Sequence, residues 1–299
     1  NKNKNMKEPR YLFPNDYMAD PSANVFNDRL YIYPSHDRDS GEAFDDDGGH
    51  FQMKDYHVLS LDNVENGAIT DHGVILDVEQ VEWAEKQMWD NDVVEKDGKY
   101  YLVFSAKDYN GVFHLGVAVA DNPEGPFKPE PHPIRGSFSI DPCVFKDDDG
   151  VIYLYYGGWQ HCNVAVMNDT MDGFIPHADG SIFKPVTPEG YVEGPCMLKR
   201  NGVYHFMWSE GDWVNGTYHV CASASKSPLE INPKGKVILE SSELANGPGH
   251  HGYINIPGTD EWRIVYHRRI IGDLEAGHRV LCMDQLHFDG DEIVPVTMT

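Results

Sequence analysis

Three carboxylates occupy comparable places in the chain: Asp20 in ADPSA, Asp141 in SIDPCVF and Glu193 in VEGPC. Each stands before a short apolar stretch, a turn and an alternating aromatic run. Counting back eleven residues from those runs gives Asp20 from Tyr31, Trp89 from Tyr100, Asp141 from Ile152 and Glu193 from Tyr204. From Trp262 the count reaches His251, or His250 if the PGTDE turn carries one extra residue. Like charges brought close repel and raise one another's pKa, so an assembly of acids is better explained by chemistry than by packing. Hydrolysis of a glycosidic bond uses such a set. One protonated carboxyl donates to the leaving oxygen, and one carboxylate activates water or attacks the sugar. A third charge keeps the acid protonated near neutrality. A Trp offers a flat apolar face to the C–H side of a sugar.

The elements that would have to position these residues are strands. Tyr31/Tyr33, Tyr100/Leu102/Phe104, Ile152/Leu154/Tyr156, Tyr204/Phe206/Trp208 and Trp262/Ile264/Tyr266 alternate with period two. Each run follows hairpin turn chemistry: FNDR, KDGK, DDDG, RNGV and PGTD. A further strand follows in every unit, at 56–67, 114–127, 163–174, 219–231 and 278–290. Helical periodicity is confined to 78–89 (VEQVEWAEKQMW), which reads as a short helix. Small antiparallel sheets repeated every 50–70 or so residues predict an all-β, five-bladed β-propeller. In that architecture the first strand of every blade lines the axis and all run the same way. Asp20, Trp89, Asp141, Glu193 and one of His250 and His251 would therefore meet at one mouth, a central axial active site.

Composition narrows the partners. The 299 residues carry a formal net charge of −24, which repels nucleic acid and anionic lipid and is compatible with a neutral sugar. A 40% apolar content supports a substantial core. No apolar run approaches the roughly 18 residues of a membrane span, and the polar opening NKNKNMKEPR lacks a signal core. The expectation is a soluble protein, cytoplasmic or exported with its signal already removed, forming a single propeller over 1–299 with a flexible segment at 1–10. Five scattered cysteines without a C-x-x-C read as buried small side chains and not as a disulfide framework. GPGHHG satisfies G-x-G-x-x-G, but a strand follows it and no dinucleotide site results. KDDDG and FDDDGGH lack the spacing of a calcium loop ending in Glu, and the acid-rich stretch 36–50 reads as a solvated loop.

Taken in order, ADPSA, MWDND, SIDPCVF, VEGPC and GPGHHG, with GKYYLVFSA and ADNPEGPF, resemble glycoside hydrolase family 43 from about residue 10 to residue 297. The resemblance implies a five-bladed propeller acting as an inverting β-xylosidase or α-L-arabinofuranosidase on xylo- or arabino-oligosaccharides. It implies Asp20 as general base, Glu193 as general acid and Asp141 as the residue that raises the acid's pKa and orients it. It also implies Trp89 and Arg279 (in GHRVL) at the substrate, and His250 facing an axial calcium partly through water, with no cofactor needed for the chemistry. Gly252 stands where the family's G-H-x-S has Ser, and Asp90 and Asn91 replace the Ala and Pro of MWAPD. Three other readings are set beside it: an endo-acting arabinanase or xylanase of the same family, a retaining fructosidase-type propeller, and a non-catalytic sugar-binding propeller.

Overall fold

The computed structural model describes residues 12, 16–37, 48, 51–62, 68–212, 215–273, 275 and 277–299. The segment 1–10 and most of the acid-rich stretch 36–50 lie outside the described residues. The chain forms five antiparallel blades. Their inner strands are Met18–Phe26, Asn91–Lys96, Cys143–Lys146, Glu193–Arg200 and Asn246–Asn255. Each inner strand touches the next, and the fifth packs on the first, so the ring closes on itself. In every blade the second strand is the alternating run of the sequence: Arg29–His36, Lys99–Asp108, Ile152–Tyr156, Val203–Glu210 and Trp262–Arg269. The hairpins between them follow from turn chemistry. Asn27-Asp28, Asp97-Gly98 and Asn201-Gly202 have positive φ at both positions, as two-residue turns between twisted strands require.

Five apolar clusters fill the five clefts between blades. Tyr33, Tyr56, Leu102 and Phe104 pack between blades 1 and 2; Leu198, Met207, Ile264 and Tyr266 pack between blades 4 and 5. The cleft between blades 5 and 1 holds Met18, Leu59, Val265 and Leu281. There the Leu12 amide donates to the Leu281 carbonyl at 2.8 Å, tying the start of the chain to the last blade. The five cysteines are all buried and free. Among the described residues no helix is long and apolar enough to cross a membrane.

The helix expected over 78–89 does not form. One 3-10 turn, Val78–Gln80, is capped by the Asp77 side chain accepting from the Glu79 amide, and the strand Ala84–Lys86 follows. That strand pairs with Lys107 and Asp108, the end of a second strand that outruns its inner partner. Val81, Ala84 and Met88 are still buried, so an irregular segment meets the burial that the helical spacing suggested.

A bulge marks the head of the inner strand in blades 1, 4 and 5. Pairing jumps from Ala19↔Ser35 to Ser22↔Tyr33, from Glu193↔Ser209 to Cys196↔Met207, and from Gly249↔His267 to Gly252↔Val265. The first skipped residue is left-handed in each: Asp20 (φ 48°), Gly194 (φ 70°) and His250 (φ 43°). Asp141 (φ 60°) takes the same conformation before blade 3. Such bulges turn a side chain away from the alternation and into the axis. Gly252 follows the blade 5 bulge and explains its own identity: a Cβ there would lie 2.8 Å from the Ala23 amide nitrogen and 2.9 Å from the Pro21 carbonyl oxygen. Because both neighbours are backbone, Gly252→Ser is expected to lower unfolding free energy by about 1–3 kcal/mol through overpacking between blades 5 and 1. Urea unfolding checks it, and an unchanged midpoint would refute the close approach.

Candidate active site

The bulges and the ring bring four carboxylates around one imidazole. His250 Nδ1 lies 3.0 Å from Asp20 Oδ1, 3.7 Å from Asp141 Oδ2 and 3.7 Å from Glu193 Oε2, and its Nε2 lies 3.6 Å from Asp90 Oδ2. Asp20 and Glu193 thus reach the same nitrogen, and their nearest oxygens lie within about 7 Å of each other, a span that fits two carboxyls flanking one glycosidic bond. His251 points elsewhere: its Nε2 sits 3.2 Å from the Met207 sulfur, and burial pushes its pKa down to about 3.

Environment drives the two buried aspartates in opposite directions. Burial works to raise Asp20, but Arg279 and His250 outweigh it and hold the carboxyl well below the usual range. Asp20 also accepts a hydrogen bond from the Ser35 hydroxyl at 2.9 Å. Burial drives Asp141 well above that range, and the adjacent Asp90 carboxylate adds to it more than His250 offsets. His250 is itself raised well above an ordinary imidazole; burial opposes this, and Asp141 and Asp20 overcome it. His267 is neutral: its Nδ1 accepts the Asp20 N–H at 3.1 Å, and burial and the nearby Arg279 both press it toward the uncharged form.

Arg279 is buried under the axis and is not a surface cation. Its Nη2 and Nε bind the two oxygens of Asp37 at 2.6 and 2.9 Å, its Nη1 reaches Asp20 at 3.3 Å, and its guanidinium lies 4.5 Å from the Phe51 ring centre. Glu193 accepts from the Tyr218 hydroxyl at 3.2 Å. The amide of Gly194, the next residue, donates to Asp141 Oδ2 at 2.9 Å. Trp89 donates its ring N–H to the Phe51 carbonyl at 2.9 Å and leans on Phe113 and Trp159, forming one wall of the pocket. Trp159 is 42% exposed, so one aromatic face stays open to solvent at the mouth.

Every residue singled out from the sequence therefore lines this pocket, apart from His251, which turns away from the acids. The count of eleven misses by one residue in three blades. The bulge residue is Gly194 in blade 4, one beyond Glu193, and His250 in blade 5, one before His251. In blade 2 the count reaches Trp89, while the axial acid is the next residue, Asp90. Its Oδ1 accepts from the Ser105 hydroxyl at 3.0 Å and the Asp141 amide at 3.2 Å. Asp90 is the main residue the sequence reading passed over, noted only as a departure from MWAPD. Asp37 is the other: read as part of a solvated loop, it is buried against Arg279. Asp92 faces the far side of the axis, where it accepts from the Val144 and Val93 amides at 2.6 and 2.9 Å and burial pushes it up to about 7.

His250, Asp90 and Asp141 each offer a donor atom, all within 4.8 Å of one another. One imidazole and two carboxylates fit a divalent cation, which would relieve the Asp90–Asp141 repulsion, but they supply too few oxygens for calcium without added waters. Removing Arg279 leaves Asp37 and Asp20 buried without their cation. Arg279→Met is expected to lower unfolding free energy by about 3–5 kcal/mol in urea titrations. A loss below 1 kcal/mol would mean that the pair is solvated.

Comparison with known proteins places this geometry. A family model described as Glycosyl hydrolases family 43 matches residues 15–294. A β-xylosidase of Xylanibacter ruminicola is 46% identical over 94% of this chain and 97% of its own length. A xylosidase/arabinosidase of Bacteroides ovatus is 40% identical over 95% and 96%. The crystal structure of CoXyl43, a family 43 β-xylosidase/α-arabinofuranosidase from a compost metagenome in complex with xylotriose and in calcium-free form, superposes with a TM-score of 0.84. It is 34% identical, and the match covers 98% of this chain and 97% of that one.

Proposed function

The chain belongs to glycosyl hydrolases family 43, and from that membership we propose that it releases β-D-xylosyl and α-L-arabinofuranosyl residues from hemicellulose oligosaccharides with inversion at the anomeric carbon. The protein is a glycoside hydrolase; the substrate, the stereochemistry and the residue roles are the proposal. The observation that carries it is the pairing of an ionised Asp20 with Glu193 on one imidazole, beside an aromatic wall.

Asp20 is the general base. Held anionic by Arg279 and His250, it takes a proton from the water that attacks the anomeric carbon. Glu193 is the general acid and gives its proton to the leaving oxygen, its carboxyl oriented by the Tyr218 hydroxyl. Asp141 positions that acid by accepting the Gly194 amide, and the Asp90–Asp141 pair shares the negative field that favours a protonated neighbour. Arg279 orients Asp20 and, at the pocket floor, reaches sugar hydroxyls; Trp89 and Trp159 carry the apolar face of the sugar. Calcium, if bound, is held by His250, Asp90, Asp141 and waters, and supplies positive charge among the acids.

Hydrolysis of 4-nitrophenyl β-D-xyloside and α-L-arabinofuranoside, with the first-formed anomer read by NMR, tests the substrate and the stereochemistry. Activity on a fructoside alone, or retention, would overturn the reading. Asp20→Asn is expected to lower kcat about 10²–10⁴-fold on all substrates. Glu193→Gln should lose as much on xylobiose and much less on an aryl glycoside whose leaving group needs no proton. Equal losses on both would remove Glu193 from the acid role.

The acidic limb of kcat/KM provides a further check. Asp20 is depressed in the folded protein, so its base function persists as pH falls below the ordinary carboxylate range. In Arg279→Gln burial is opposed by His250 without the arginine, Asp20 rises, and the limb should move to higher pH. A limb that stays in place would detach it from Asp20.

A further inference from the structure

A second cluster of ligating side chains lies on blade 1, outside the catalytic pocket. Asp55 and His57 stand two apart on the third strand, Asp55–Leu61, and so share a face. His36, at the end of the neighbouring strand Arg29–His36, meets them there. His36 Nδ1 lies 2.7 Å and His57 Nε2 3.9 Å from the same oxygen, Asp55 Oδ1, and the two rings are 4.4 Å apart. The outward nitrogens are both held by further carboxylates: His36 Nε2 by Asp16 Oδ2 at 2.8 Å and His57 Nδ1 by Asp71 Oδ1 at 3.0 Å.

We propose that His36, Asp55 and His57 form a binding site for a divalent transition metal of the zinc type, with water as the fourth ligand. Three features carry this. The set is two imidazoles and a carboxylate, the donors zinc prefers. A tetrahedral zinc with bonds of about 2.0–2.2 Å spaces its ligand atoms roughly 3.3–3.5 Å apart, and the observed 2.7 and 3.9 Å straddle that spacing. Each histidine also has its second ring nitrogen on a carboxylate, the outer arrangement that orients ligating imidazoles and raises their basicity. His57 Nε2 faces Asp55 Oδ1 at 3.9 Å, beyond direct hydrogen-bond reach, and a cation between them would bridge that gap.

His36, Asp55 and His57 are largely buried, yet their side chains keep 22, 9 and 13% exposure, enough for an ion to enter. The site lies one residue from Asp37, the partner of Arg279, so an ion there also fixes the strand end that holds the arginine.

The test uses the full-length protein dialysed against a chelator and titrated with Zn2+ and with Co2+. His250→Gln is the background variant, so that binding at the axis is not counted. Expected are one zinc per chain, visible Co2+ bands of a tetrahedral nitrogen–oxygen site, and a thermal midpoint that rises with zinc concentration. All three should vanish in His57→Gln and Asp55→Asn, and zinc affinity should fall about 10–100-fold in Asp71→Asn. Imidazole 15N spectra of the unmutated chain provide a check that needs no variant: zinc should shift His36 Nδ1 and His57 Nε2. Zinc stoichiometry unchanged by His57→Gln, or imidazole resonances of His36 and His57 that do not respond to zinc, would overturn the site.

Discussion

The axis depends on one imidazole. His250 sits within 3.0–3.7 Å of oxygens from Asp20, Asp90, Asp141 and Glu193, each brought from a different blade. Several carboxylates taken out of water are costly to hold without a cation among them. The acids in turn keep His250 protonated against its burial. The His250 amide is fixed by the Ser209 hydroxyl of blade 4 at 2.9 Å, and its left-handed backbone aims the ring inward. The charge balance of the site is therefore a property of ring closure: blade 5 delivers the cation to acids carried by blades 1 to 4.

A propeller suits this arrangement because its rigidity lies elsewhere. The apolar clusters fill the clefts between blades and leave the axis polar. Each inner strand can give its first residues to chemistry without loss of core. The cost is local: non-glycine residues at positive φ at three of the five heads, a backbone state that asparagine and aspartate tolerate better than most. That preference fits Asp20 and Asp141; in blade 4 glycine takes the strained position and Glu193 stands beside it.

The repeat, the strand order and the location of the site were legible in the sequence because all three rest on period-two alternation and turn residues, which are local signals. Asp20, Asp141 and Glu193 could be found by counting. Asp90 and Asp37 could not, for different reasons. Asp90 stands one residue beyond the counted position, and its neighbour Trp89 drew the count. Asp37 looks like the first acid of a solvated loop, and only its contact with Arg279, 242 residues away, makes it a buried partner. The segment 78–89 failed in the opposite way. Its apolar spacing was real, but an unpaired strand end captured the backbone hydrogen bonds that a helix would have made internally.

The division of labour among the acids follows from where the cations stand. Asp20 has Arg279 on one side and His250 on the other, and so stays anionic despite its burial. Asp141 shares His250 with its neighbours and has Asp90 against it, so burial prevails and drives it well above the usual carboxylate range. Two chemically identical side chains, both on left-handed backbone, are separated by the placement of one arginine. That arginine is in turn held by Asp37 through Nε and Nη2, while its Nη1 reaches Asp20 at 3.3 Å. A guanidinium so anchored keeps Asp20 ionised from a fixed position.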